Sequence, residues 1–429
     1  MPSCPLDFAI GASPGPVLGA RDPEGHDALE TLARDGVNLI RLPAIESKEL
    51  EGLVPGRDSL PPSVQRVADQ LEWAERAGRG AGTPMYVAIN VGELSVLDES
   101  PSRRRWLDYI IERFGEHPAA GVWKVLDEPN NPYTPDDKER RIRIGMRRAY
   151  ARIKQLDPHH PIWVTQAPQP ARRVTTRYFR AYGDTADIFA VDLYPISDPL
   201  GKHSGIRNHG PSAVGDFAAR LATVAREATA RGTPKWVWMV LQGAGWSGVV
   251  PRDERRRAVG PVLMQPHAAM LRYMTYQAII GGAEGVLYFG MNVGLYPETQ
   301  PFGWDWGYWR GAVGPVVHQL RSAPLAPALV ANRRLDVSAV APRGRARVDA
   351  CALQAPDGSV LVLAARRERL AGEPREAEIR LDLPAGAIEV GSRSAAEVCF
   401  EGREVTLDGH ALHDRFLPCE VHVYRLSPP

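Results

Sequence analysis

The sequence predicts an α/β fold, a (β/α)8 TIM barrel followed by an all-β sandwich domain. Two observations carry this. Over roughly the first three quarters of the chain, short β-rich runs alternate with helical stretches about eight times, the number that closes a barrel. Beyond a Pro-rich stretch at Ala323–Pro327 the apolar period changes to two, and turn signals replace helix signals. The 429 residues suffice for a barrel plus a second unit. We place the barrel at 1–323 and the sandwich at 330–429.

Phe8–Ala12 reads as the first strand. Helical segment Glu24–Asp35 leads to Val37–Leu42, Ser63–Ala77 to Met85–Asn90, Arg103–Phe114 to Gly121–Leu126, and Glu139–Leu156 to Ile162–Thr165. Thr175–Tyr182 leads to Ile188–Leu193, Asp216–Arg231 to Trp236–Leu241, and His267–Ile280 to Gly285–Phe289. Gly follows several helices, at Gly36, Gly232 and Gly282, as a C-cap feeding a short loop requires. A last helix, about Tyr308–Ser322, closes the barrel, and Ala323–Pro327 reads as a stiff linker. An open doubly wound sheet alternates in the same way, but no Gly-rich phosphate fingerprint follows the first strand. In the tail, Val348–Leu353, Val360–Ala364, Glu376–Leu381, Glu397–Phe400, Glu404–Leu407 and Glu420–Tyr424 read as strands. Pro356-Asp357-Gly358 and Asp408-Gly409 are turn signals.

Composition narrows the function. A net charge of +1 gives no electrostatic reason to expect nucleic acid or an acidic membrane as partner. No apolar run is long enough to span a bilayer. Met1–Ile10 lacks the basic start and apolar core of a signal peptide, so a cytoplasmic protein is the simplest reading, while an exported chain with its leader removed would read the same. Cys4, Cys351, Cys399 and Cys419 show no metal-ligand spacing. They read as reduced, buried thiols, with a disulfide among the last three open if the protein is exported. The histidines form no ligand pattern at a strand end, and neither metal nor cofactor is expected. Oligomeric state is not legible.

In such a barrel the active site lies at the C-terminal ends of the strands. The residues there are Ser13, Arg41, Asn90, Glu93, Asp127, Glu128, Gln166, Asp192, Tyr194, Gln242, Trp246, Tyr288 and Asn292. Carboxylates and amides bind hydroxyl groups in pairs, and aromatic rings stack on the apolar face of a pyranose. The set therefore suits a sugar. Trp304 and Trp306, in the aromatic loop Phe302–Trp309 after strand eight, read as stacking platforms or as packing for the last helix.

The run Glu116–Pro129, with Trp123-Lys124-Val125-Leu126-Asp127-Glu128-Pro129 at its end, resembles the fourth-strand region of the large glycoside hydrolase clan of (β/α)8 barrels. The clan usually shows Asn-Glu-Pro there, and a less studied subset shows Asp-Glu-Pro. Arg41, Asp192-Leu193-Tyr194-Pro195, Trp238–Gly243 and Met274–Val286 resemble the second, sixth, seventh and eighth units, over roughly residues 5–325. The resemblance implies that Glu128 is the general acid/base of a glycosidase. Asp127, directly before it, is expected to raise its pKa by like charge.

One departure matters. Retaining members of the clan carry a nucleophilic Glu at the end of strand seven, and this chain has Gln242. An amide forms no glycosyl ester. Three accounts remain open. The enzyme inverts, with Asp192, or secondly Glu93, activating water across roughly 6.5–9.5 Å. Or an acid in a loop, Asp253, Glu254 or Asp305, supplies the base. Or the barrel binds carbohydrate without cleaving it; a transglycosidase is a further alternative. The run Arg252–Arg257 reads as a solvated, self-paired charge cluster, and less readily as a site for an acidic sugar. The expectation is thus a glycosidase with Glu128 and Asp192 catalytic. Its substrate contacts are expected at Arg41, Asn90, Glu93, Asp127, Gln166, Tyr194, Gln242, Trp246, Tyr288, Asn292, Trp304 and Trp306.

Overall fold

Eight short strands, apolar and almost wholly buried, form the first sheet: β1 (Ala9–Ser13), β2 (Leu39–Arg41), β3 (Tyr86–Gly92), β4 (Ala120–Val125), β5 (Ile162–Gln166), β6 (Ile188–Leu193), β7 (Trp236–Gln242) and β8 (Gly285–Phe289). Strands covered on both faces must read as near-continuous apolar runs. They pair in parallel in chain order. β8 closes on β1 with Ala9 opposite Gly285 and Ser13 opposite Phe289. The computed structural model describes residues 6–97, 101–131, 134–168, 172–196, 210–245, 265–292, 302–341, 346–384 and 395–426.

The helices return the chain outside the barrel: α1 (Ala28–Asp35), α2 (Pro62–Ala81), α3 (Pro101–Phe114), α4 (Asp136–Leu156), α5 (Arg172–Ala181), α6 (Ala213–Ala230), α7 (Ala268–Gly281) and α8 (Gly314–Arg321). Capping sets α1. Asp27 accepts from the Leu29 and Glu30 N–H groups, and Gly36, at φ 109°, ends it. A side chain at Gly36 would also meet Arg321 at 2.6 Å. The chain turn Ala323–Pro327 is no extended spacer. Leu325 is buried there, and Pro327 starts a short helix, α9 (Ala326–Ala331). Proline costs nothing at that position because its missing N–H would be unpaired anyway.

Alternation along the strands divides two layers. Ile10, Ile40, Val87, Ile89, Ile162, Val164, Phe189, Met239 and Tyr288 join the core between barrel and helices. Leu39, Ala88, Val122, Trp163, Ile188, Ala190, Trp238, Val240 and Leu287 fill the lumen. The Trp163 and Trp238 rings, 5.5 Å apart, plug its centre. Chemistry is thereby confined to the layer above them.

The second sheet has nine strands in the order β10-β13-β16-β15-β14-β17-β12-β11-β9, all paired antiparallel. They are β9 (Arg333–Leu335), β10 (Ser338–Val340), β11 (Val348–Gln354), β12 (Val360–Arg366), β13 (Ala377–Asp382), β14 (Ala395–Val398), β15 (Arg403–Asp408), β16 (Ala411–Phe416) and β17 (Val421–Leu426). The curled sheet matches the expected sandwich-type domain. Sequence patterning missed β9, β10 and β16. The first two have three residues each, too short for a period, and β16 carries His413-Asp414-Arg415 in its middle.

β12 is buried throughout because it serves two cores. Val360, Val362 and Ala364 face the sheet's own interior, while Leu361, Leu363 and Ala365 join the barrel's outer core. Polar contacts fix the same junction. Arg367 reaches Asp349 at 2.7 Å and Asp216 of α6 at 2.9 Å, and Arg272 of α7 donates to the Val421 carbonyl at 2.7 Å. Cys351, Cys399 and Cys419 are free thiols, the first two buried, and burial pushes all three upward in pKa. Cys4 lies outside the described residues.

A charged cluster sits inside the second domain. His422 contacts Glu401 at 2.6 Å and Glu420 at 3.6 Å, with Arg403 bridging Glu401 and Asp414. Burial alone would depress the imidazole, but the two glutamates outweigh it and raise its pKa to about 9. A His raised from 6.5 to about 9 contributes stability in full below pH 6.5 and loses it as pH rises through 9. That contribution is about 3 kcal/mol at most. Thermal melts should therefore show wild-type Tm falling between these limits, with a flatter profile in His422→Gln. Parallel profiles for the two proteins would exclude the linkage.

Candidate active site

The mouth of the barrel is built from the inward-facing positions at the tops of β2, β4, β6 and β8. On β4, inward parity falls on Val122 and then Lys124, a fully buried lysine inside an apolar strand. Its Nζ donates to the Val125 carbonyl at 2.8 Å, meets Asp127 at 2.9 Å and lies 5.2 Å above the centre of the Trp163 ring. Arg41, inward on β2, donates to the other Asp127 oxygen at 3.1 Å. One carboxylate thus bridges two cations on top of the tryptophan plug. Burial lowers the pKa of Lys124 despite Asp127. Burial also pushes Asp127 up, but Lys124 and Arg41 together hold it below the usual carboxylate range.

Glu128 follows in a left-handed conformation, φ 44°. Such a backbone costs a non-glycine residue of order 1 kcal/mol and persists only where surroundings impose it. Here the N–H of Glu128 donates to the Thr165 carbonyl at 2.9 Å, and Asn131 donates to both its main-chain oxygen and its Oε2. The turn directs the carboxyl toward Asp192, which faces inward from β6. The two carboxyl groups lie close enough for Glu128 to act directly on Asp192. Burial first, then Glu128, then Asp127, raise the pKa of Asp192 well above the ordinary 3.8. The like-charge effect expected from Asp127 therefore falls on Asp192, while Asp127 itself is neutralised by Lys124 and Arg41.

Tyr194, next inward after Asp192, stacks on Phe289 with ring centres 5.1 Å apart. Asn292 follows β8 with its Oδ1 buried and unpaired, and Arg41 Nε and Asp192 Oδ1 are likewise buried without a partner. Unpaired polar atoms at a concave mouth are what a hydroxylated ligand would satisfy.

Most of the other expected contacts lie elsewhere. Tyr288 has the opposite parity and points outward, its hydroxyl 3.1 Å from that of Thr275 on α7; Phe289 takes the inward place. Gln166 shares the outward parity of Ile162 and Val164. The Asn90 amide is engaged by the Leu42 carbonyl and the Gly92 N–H. Gln242 accepts from the Ile196 N–H at 2.9 Å and donates to the Ile196 and Ala244 carbonyls, so it clamps the loops after β6 and β7 together. Trp304 and Trp306 are buried against each other and Trp309, which makes them packing for the last helix with no open face. Asp305 caps that segment and accepts from Gln265 at 2.8 Å. Glu93 is exposed on the rim and accepts from Ser47 at 2.8 Å. Trp246, Asp253, Glu254 and the Arg252–Arg257 run lie outside the described residues.

Lys124 and Phe289 were missed by sequence reasoning. A lone lysine in an apolar barrel strand was the available signal. One His/Asp/Glu group among the described residues brings ligand atoms within 4.8 Å, at Asp22, Glu24 and His26. Its members are engaged within the protein, Asp22 by His26 and Thr31 and Glu24 by Arg310.

The fold has solved counterparts. A GH30 endoxylanase from Clostridium papyrosolvens superposes with a TM-score of 0.53 at 10% identity, over 98% of this chain and 96% of that one. A structure described as a glycoside hydrolase gives 0.55 at 12% identity, over 97% and 92%. Amy13B of Eubacterium rectale gives 0.52 at 9%, over 100% and 97%. The chain shares the fold of these proteins. No protein-family model matches the chain, and no curated protein matches it.

The Lys124–Asp127 contact generates a test. Asp127→Asn removes the nearest carboxylate from a fully buried ammonium and should cost about 3 kcal/mol in urea denaturation. Lys124→Met in the same chain should recover most of that loss. Additive costs in the double variant would mean that the two groups are not coupled.

Proposed function

We propose that the protein is a glycosidase whose acid–base work is done by the Glu128–Asp192 pair at the barrel mouth. The observation that carries the reading is the meeting of two carboxyl groups at the barrel mouth, with burial and then Glu128 raising the pKa of Asp192. A neutral carboxylic acid next to a carboxylate supplies both halves of glycosidic cleavage. Glu128 lies beyond the end of β4, whereas Asp192 lies within β6. Asp192 is therefore the deeper group and stores the proton that Glu128 passes to the leaving oxygen. Arg41, Tyr194, Asn292 and the rim residue Glu93 contact the sugar, and Asp127 orients Arg41. The shared barrel fold is consistent with this reading, and the residues at the mouth carry it.

Contact between the two carboxyl groups leaves no room for the intervening water that inversion needs, since inverting pairs stand roughly 6.5–9.5 Å apart. Retaining pairs stand about 5–5.5 Å apart. A close pair is nearer the retaining spacing than the inverting one, so the reading takes retention: the proton goes through Glu128 to the leaving oxygen, and the carboxylate then left on Asp192 attacks the anomeric carbon as the glycosidic bond breaks, since the clamped Gln242 amide cannot serve. Sugar binding without cleavage is the rival.

A panel of aryl glycosides and oligosaccharides decides. Wild type should turn over at least one member, and Glu128→Gln and Asp192→Asn should each lower kcat by about a hundredfold or more. NMR of the first product should show the starting anomeric configuration. Sugar binding without turnover would favour the rival, and an inverted product would rule out double displacement.

A further inference from the structure

Charge is segregated on this molecule. The chain is balanced overall, with 52 Lys and Arg against 51 Asp and Glu. Yet the three consecutive helices α3, α4 and α5 hold sixteen basic residues and five acidic ones. α3 packs against α4, and α4 is tied to the segment that follows α5. Arg152 of α4 pairs with Asp108 of α3 at 2.8 Å, and Arg147 of α4 pairs with Asp184, just past α5, at 2.6 Å. Those acids are engaged by these pairs. Arg105, Lys138, Arg140, Arg148 and Arg177 are exposed and have no carboxylate partner among the described residues.

We propose that this flank is a docking surface for a polyanionic polysaccharide, one with carboxylate or sulfate groups repeated along its chain. The choice of a glycan rests on the glycosidase reading; the demand for a polyanion does not. Arginine dominates the exposed set, and its planar fork matches carboxylate and sulfate geometry. The helices run back from the mouth end of the barrel, so a chain lying along them continues from the sugar-binding rim. Other polyanions fit less well. The helices lie flat on the barrel and cannot enter a DNA major groove. Trp106 is buried, so it offers no stacking face for single strands. Ile144 is the one large exposed hydrophobic on these helices among the described residues, too little to anchor in a bilayer.

The experiment is titration of the full chain with polygalacturonate by calorimetry at about 50 mM and about 300 mM NaCl. Binding should be measurable at low salt and fall steeply at high salt. The variant Arg105→Ala/Arg140→Ala/Arg148→Ala/Arg177→Ala, with an unchanged melting curve because all four positions are exposed, should bind about tenfold more weakly or worse. Neutral dextran should not bind this surface. Equal binding by variant and wild type overturns the proposal. So does tighter binding of duplex DNA or phosphatidylserine vesicles than of polygalacturonate. Wild-type cleavage of the glycan panel, measured beside these titrations, separates the two readings. Polygalacturonate binding with no glycan cleaved by wild type supports the flank and removes the hydrolase. Cleavage of neutral glycans without polyanion binding does the reverse.

Discussion

Two cations share one carboxylate at the floor of the mouth, and the site is arranged around that fact. Lys124, fully buried, and Arg41 stand above the Trp163–Trp238 plug, with Asp127 on their solvent side. Asp127 answers both. Removing a charge from such a cluster leaves another uncompensated in a poorly hydrated place. Asp127 is thereby pinned, and the next residue, Glu128, takes its left-handed turn from a fixed point. Asp192 then meets a second carboxyl group, which together with burial raises its pKa.

Strand parity acts as a filter on everything the sequence offers at the barrel top. Adjacent residues of a strand face opposite layers. Phe289 and Tyr288 are neighbours, but only Phe289 reaches the mouth, while Tyr288 bonds to a helix behind the sheet. The same filter turns Gln166 outward and brings Lys124 inward. Strand ends are the least certain part of a reading from pattern alone, and an error of one residue reverses a side chain.

Net charge is a sum, and sums hide placement. A balanced total gave no electrostatic reason to expect nucleic acid or an acidic membrane, yet α3, α4 and α5 carry most of their charge with one sign. The balancing acids lie elsewhere on the chain. Whether a polyanion feels attraction depends on local density over about a Debye length, not on the total.

Periodicity and turn chemistry determined the architecture. Eight strand–helix repeats, glycine C-caps and a change of period to two are local signals, and each survives because propensity and patterning act over a few residues. The Asp-Glu-Pro run was likewise legible, and it located Glu128. What only tertiary structure decided is which side chains meet. The Lys124–Asp127–Arg41 bridge spans 86 residues between Arg41 and Asp127. The Gln242 clamp, the contact between Asp192 and Glu128, and the burial of Trp304 and Trp306 likewise join segments far apart in the chain. Their partners are chosen by barrel closure and strand register, which no local window of sequence contains.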